Sequence, residues 1–123
     1  MLKPSVIIAM ALGCCACVTV DNPGSISGQW LGRWAEETRW CNDPASASWD
    51  LIITPHTLSF RNERGTVRSA YAARGSLLVV VADDSGRATQ YRSYDLLASP
   101  SGDVVAVVFD TKTYTLQRCP AGS

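Results

Sequence analysis

The chain has 123 residues, 46% hydrophobic and 18% charged, with eleven basic and eleven acidic side chains and a formal net charge of zero. That is material for one small domain, and the even charge balance excludes a recognition surface built on excess positive charge, so no nucleic-acid partner is expected. A domain this small buries a modest fraction of its surface, which gives the five cysteines more weight than they would carry in a larger protein.

Taken in order, the chain begins with Lys3 as a positive flank, an apolar run from Val6 to Leu12, and the small residues Gly13, Cys14, Cys15 and Ala16. This reads as an export signal over residues 1–16. The run is too short for a permanent bilayer span, which needs about 20 residues. Ala11-Leu12-Gly13-Cys14 resembles a bacterial lipoprotein processing site, which implies lipidation of Cys14, with Cys17 after Ala16 as the alternative. The residue after the modified cysteine is then Cys15 or Val18, neither of them the aspartate associated with inner-membrane retention. The resemblance therefore implies an outer-membrane anchor facing the periplasm; cleavage without acylation would give a periplasmic or secreted protein.

Without residues 1–16 the domain loses only Lys3 among its charged groups, and two cysteines remain beyond any lipidated one, Cys41 and Cys119. In an exported chain these predict one disulfide, and closing so long a loop contributes about 4 to 5 kcal/mol in the chain-entropy account. Residues 17–26, with Asn, Pro, Gly and Ser, read as a tether, and the barrel domain is expected over 27–120.

Gly28, Trp30, Gly32 and Trp34 recur at the period of a strand, which predicts a first strand over about 27–35. A polar loop, 36–48, follows with Trp40 and Cys41. The rest falls into short β-rich runs, roughly 48–54, 57–62, 66–73, 76–83, 88–97, 103–109 and 112–119, and every break contains Gly, Pro or Asp. Connections of two to five residues force antiparallel neighbours, since parallel strands need crossovers of a dozen or more. The expected fold is all-β: a single eight-stranded antiparallel up-and-down barrel whose closure removes exposed edges.

Gly28-x-Trp30 on the first strand, with Arg118 near the end of the last, is similar to the pattern of the calycin superfamily, which includes lipocalins and small periplasmic metalloprotease inhibitors. The resemblance implies that Arg118 closes over Trp30 at one end of the barrel, a cation on an indole being worth about 0.5 to 2 kcal/mol.

Candidate chemistry is sparse. His56, between Pro55 and Thr57, reads as a solvent-exposed turn residue, since general-base work needs a positioned partner and a pocket. Asp83, Asp84, Asp95, Asp103 and Asp110 sit at or near strand ends without the ordered spacing of a calcium loop, and Glu36-Glu37 point to opposite faces of a strand rather than at one glycosidic bond. Neither a metal nor another cofactor is expected, and neither is catalysis. Arg61, Arg64 and Arg68 gather near one hairpin, and with Trp40 they form the candidate binding surface. Leu77–Ala82 and Val104–Phe109 are apolar on both faces, so the outward face calls for a cover: the long loop, a second copy or a partner. The expected function is that of a non-enzymatic cell-envelope lipoprotein, a barrel serving as a binding module for an envelope protein or a second copy of itself. The alternatives are an inhibitor of a periplasmic or secreted hydrolase, protease or lysozyme, and a carrier of a small apolar ligand.

Overall fold

The computed structural model describes residues 19–20, 25–26 and 28–122. The signal segment 1–16, with Cys14 and Cys15, and the alternative lipidation site Cys17 lie outside the described residues. Among the described residues nine strands occur in order: β1 (Thr19–Val20), β2 (Gly32–Ala35), β3 (Leu51–Ile53), β4 (Thr57–Phe60), β5 (Glu63–Ala73), β6 (Ser76–Asp83), β7 (Gln90–Ala98), β8 (Val104–Phe109) and β9 (Lys112–Arg118). Eight of them, β2 to β9, pair antiparallel with their chain neighbours, and β2 pairs with β9, closing the barrel. Short 3-10 turns are the only helical elements among the described residues, and no helix there is long and apolar enough to cross a membrane.

The hairpins from Thr57 onward follow the alternation of the sequence, except that the β4–β5 turn falls at residues 61–62 rather than 63–65 and places Gly65 inside β5. β6 shows why the alternation holds: Leu77, Val79 and Val81 are buried while Leu78 is exposed, the signature of a strand with one face on a core. Gly65 on β5 lies where a Cβ would come within 2.9 Å of the Ala82 carbonyl and 3.0 Å of Val81, so only glycine lets β5 and β6 approach this closely. A register shift between Val67 and Ser69 leaves Arg68 unpaired on the outside of the ladder.

The first strand is shorter than its sequence pattern. Gly28–Trp30 forms a 3-10 turn and β2 begins only at Gly32. Gly28 and Gly32 adopt φ of +68° and +121°, conformations that break extended backbone and that glycine adopts without steric cost. Gly28 forms the turn, and Gly32 opens the strand.

The tether stretch also contributes structure. Thr19 and Val20 pair with Ala72 and Tyr71 of β5. β6 occupies one edge of β5 and β4 occupies the other only along Glu63–Thr66, so β1 fills the edge that β4 leaves. Between β2 and β3, the loop 36–50 carries two 3-10 turns, Thr38–Asn42 and Pro44–Ser46.

Side chains fill the barrel interior. Trp34, Phe60, Tyr94, Leu51, Leu58, Leu77, Leu96 and Leu116 are all fully buried in one cluster. Phe60 meets Tyr94 and Tyr114 edge-on at 6.4 and 5.2 Å, and Tyr94 stacks on Phe109 at 4.6 Å; each such pair contributes about 0.5 to 1.5 kcal/mol beyond area burial.

Candidate functional site

The two barrel ends differ in construction. At the end near β1, Arg118 is the direct cross-strand partner of Trp34, and its guanidinium lies 4.1 Å from the Trp34 ring centre. The indole under Arg118 is therefore Trp34, four residues beyond the expected Trp30. The difference follows from the late start of β2: only Trp34 is on the strand that pairs with β9. Trp30 is buried beside it, and its carbonyl accepts the Trp34 indole N–H at 3.2 Å. Arg118 also donates to the Leu31 carbonyl at 3.2 Å, to the Gly102 carbonyl at 3.3 Å, and to the Gln29 carbonyl. One arginine thus pins the 28–31 turn and the β7–β8 loop across this end of the barrel. Gly28 itself is exposed and supplies only the turn.

The opposite end, the mouth, is ringed by the β4–β5, β6–β7 and β8–β9 connections. Arg61 and Asn62 at one hairpin, and Asp110 and Thr111 at another, have φ of 52°, 68°, 54° and 62°. Tight hairpins favour this left-handed pair because it matches the strand twist, but usually with Asn or Gly. A left-handed residue with a Cβ costs about 1 to 2 kcal/mol, so Arg61 needs compensation. Its guanidinium lies 4.2 Å from the Trp49 ring centre and 4.6 Å from that of Tyr114, and Nη1 is 3.2 Å from Glu36 Oε1. Trp49 is 42% exposed, so an indole and a guanidinium face solvent together at the mouth.

Beside them lies a second charged group. The alternation of β5, β6 and β7 turns Glu63, Asp83 and Arg92 toward the inside, where Arg92 Nη2 is 2.9 Å from Asp83 Oδ2 and Nη1 is 3.5 Å from Glu63 Oε1. Asp83 also accepts the Ser85 hydroxyl at 2.6 Å and the Ser85 N–H at 2.9 Å. Those bonds, with that from Arg92, hold its pKa down at about 2. Burial opposes the charge on Arg92, yet its bond to Asp83 and the nearby Tyr94 and Glu63 outweigh this and raise its pKa. Burial pushes the Tyr94 phenol up. The Tyr94 hydroxyl and Arg92 Nε are buried without a hydrogen-bond partner among the described residues. A cleft of about 430 Å³ opens over Glu63, Asp83, Gly86, Arg87 and Arg92.

The other sequence-selected residues lie apart. Arg64 is exposed and pairs with Ser59 on the outer side of β4 and β5. Arg68, on the bulge, is near Tyr91, and hydrogen bonding there raises its pKa. Trp40 packs outside the barrel against Ala35 and the Cys41–Cys119 disulfide, whose Cα atoms are 5.5 Å apart. The four candidates thus do not share one surface: Arg61 alone belongs to the mouth. Among the described residues no group of three or more His, Cys, Asp or Glu comes together as a metal site would require.

Sequence reasoning passed over three features. Asp50, 2% exposed, receives Arg33 at 2.7 Å, and Arg33 also donates to the Trp40 and Asp43 carbonyls at 2.8 and 3.1 Å; no local pattern signals a pair seventeen residues apart. Trp49 was hidden in a predicted strand. The Glu63–Arg92–Asp83 group was accessible in principle, because Arg92 shares the face of Tyr94 and Leu96.

The outer wall of β5, β6 and β7 carries the remaining exposed apolar groups. Tyr71 is directly opposite Leu78, Leu78 is opposite Asp95, and Leu97 is opposite Ser76 and Ala106. Tyr71, Leu78 and Leu97 are 43%, 40% and 48% exposed. The strands 77–82 and 104–109, apolar on both faces, are separated by β7 rather than adjacent. The long loop does not cover this wall; its bonds run to Arg33, Arg61 and Asn62. No protein-family model, curated protein or solved structure matches the chain.

Proposed function

We propose that the protein is a non-enzymatic cell-envelope lipoprotein of calycin-like construction, acylated at Cys14 or Cys17 and held at the outer membrane. In this reading the barrel is a binding module for an envelope protein. The observation that carries the reading is the mouth: a left-handed Arg61, held between Trp49 and Tyr114, presents a half-exposed indole beside a guanidinium. Backbone cost retained at an exposed position is a mark of function, and tryptophan, tyrosine and arginine are the residues that dominate protein-binding energetics. The filled interior favours surface recognition over carriage of a ligand. A calycin-like assignment is supported by the up-and-down order of the strands and by the arginine–indole closure between the first and last barrel strands.

The test is a photocrosslinking residue at position 49 of the full chain, expressed in its own host. The expected result is a discrete adduct that disappears when Arg61→Ala is added. Adducts no different from those obtained at Thr113, on the exposed face of β9, would overturn the reading.

A further inference from the structure

We propose that the outer wall near β1, carrying Tyr71, Leu78 and Leu97, rests on the bilayer surface, so that the barrel lies against the membrane it is anchored to. This rests on the lipoprotein reading and adds an orientation to it. The first argument is covalent reach. Cys17 is two residues before Thr19 and Cys14 five, so a lipidated cysteine is held within roughly 7 Å or 17 Å of Thr19 at full extension. Thr19 pairs with Ala72, next to the last residue of β5. An eleven-residue strand is about 36 Å long, so either anchor confines the membrane to the β1 end of the barrel.

The second argument is what the barrel presents at that place. Of the five exposed large apolar side chains among the described residues, three, Tyr71, Leu78 and Leu97, are on the wall beside β1. Directly paired residues such as Tyr71 and Leu78 are about 5 Å apart, and the diagonal from Leu78 to Leu97 about 7 to 8 Å, so they form one patch. A tyrosine with an apolar ring and a polar tip suits the headgroup region. Arg74 in the β5–β6 turn and Arg68 on the bulge, both exposed, flank the patch with the charge that anionic headgroups attract. Asp95, opposite Leu78 and Val108, limits the depth: the wall touches the interface and does not enter hydrocarbon.

The experiment uses the full chain purified from membranes and reconstituted into phosphatidylethanolamine–phosphatidylglycerol vesicles, with or without bromine on the acyl chains. An added tryptophan reports contact by quenching, over the constant background of the four native ones. Tyr71→Trp and Leu78→Trp should each lose the added emission in brominated vesicles. Thr115→Trp, exposed on β9 and four strands from β5 in either direction, should lose none. Two probes on the wall guard against one that fails to fold. Intact mass of the same samples separates the premises: an acylated protein with all three probes unquenched, or all quenched alike, overturns the orientation and leaves the anchor standing. A chain without acyl mass overturns both. Light scattering that shows a dimer dissociated by Leu78→Ser assigns the patch to a second copy and overturns the bilayer.

Discussion

Arg118 shows how one side chain does several jobs. It neutralises none of its contacts by charge; instead it spreads its planar donors over the carbonyls of residues 29, 31 and 102 and lays its face on Trp34. A lysine keeps the charge but has neither the plane nor the fork. Arg118→Lys should therefore lower stability by about 2 kcal/mol, the size of one lost stacking contact and one charged hydrogen bond, read as a lower denaturant midpoint with unchanged slope. Asp83 makes a second prediction at this scale. Its pKa is lowered from 3.8 to about 2, so the unfolded chain takes up a proton before the folded one does. Its contribution is complete above pH 3.8 and is lost as pH falls through about 2. Asp83→Asn should flatten the acid limb of the stability curve in that window, measured by denaturant titration at each pH; an unchanged limb would show that Asp83 is not its source.

Among the elements, the 36–50 loop depends most on long-range contacts. Its turns are short, and what holds them to the barrel is Arg33 reaching from β2 to Asp50 and to the carbonyls of residues 40 and 43. Removing one partner of such a buried pair leaves a charge without compensation, a loss of about 3 to 5 kcal/mol. Asp50→Ala should destabilise the fold by that amount and open the half-buried Trp40 to aqueous quenchers, whereas Asp43→Ala, at an exposed cap, should cost about 1 kcal/mol. The hairpins behave oppositely: their turn residues are local, and β6 occupies residues 76–83 as the alternation predicts, although the β4–β5 turn falls at Arg61-Asn62 rather than at the expected 63–65 and leaves Gly65 inside β5.

For the molecule as a whole, closure is the organising fact. β2 meets β9, so the two chain-distant edges of the sheet satisfy each other, and the Cys41–Cys119 bond spans 78 residues just outside that seam. The disulfide and the seam restrain the same pair of strands. Replacing both cysteines by serine should cost about 4 kcal/mol through the freed chain entropy of the unfolded state. Thermal unfolding with and without reductant would measure it, and a loss much smaller than this would mean that the strand pairing alone sets the closure.

The sequence by itself determined the all-β class, the number of barrel strands and the antiparallel order, and pointed to Cys41 and Cys119 as a pair only once the N-terminal cysteines were read as part of an export signal. The class, strand number and order follow from alternation, turn residues and short connections, all of which are written locally along the chain. Tertiary structure alone decided the rest. Whether Trp30 or Trp34 lies under Arg118 depended on where two glycines let β2 begin. Arg61 separated from Arg64 and Arg68 because a left-handed turn and a strand bulge aimed them differently. The Arg33–Asp50 pair and the place of β1 on the free edge of β5 depend on which strands the closed barrel sets side by side. Contacts between residues far apart in sequence exist only after closure brings them together, and no local pattern along the chain encodes them.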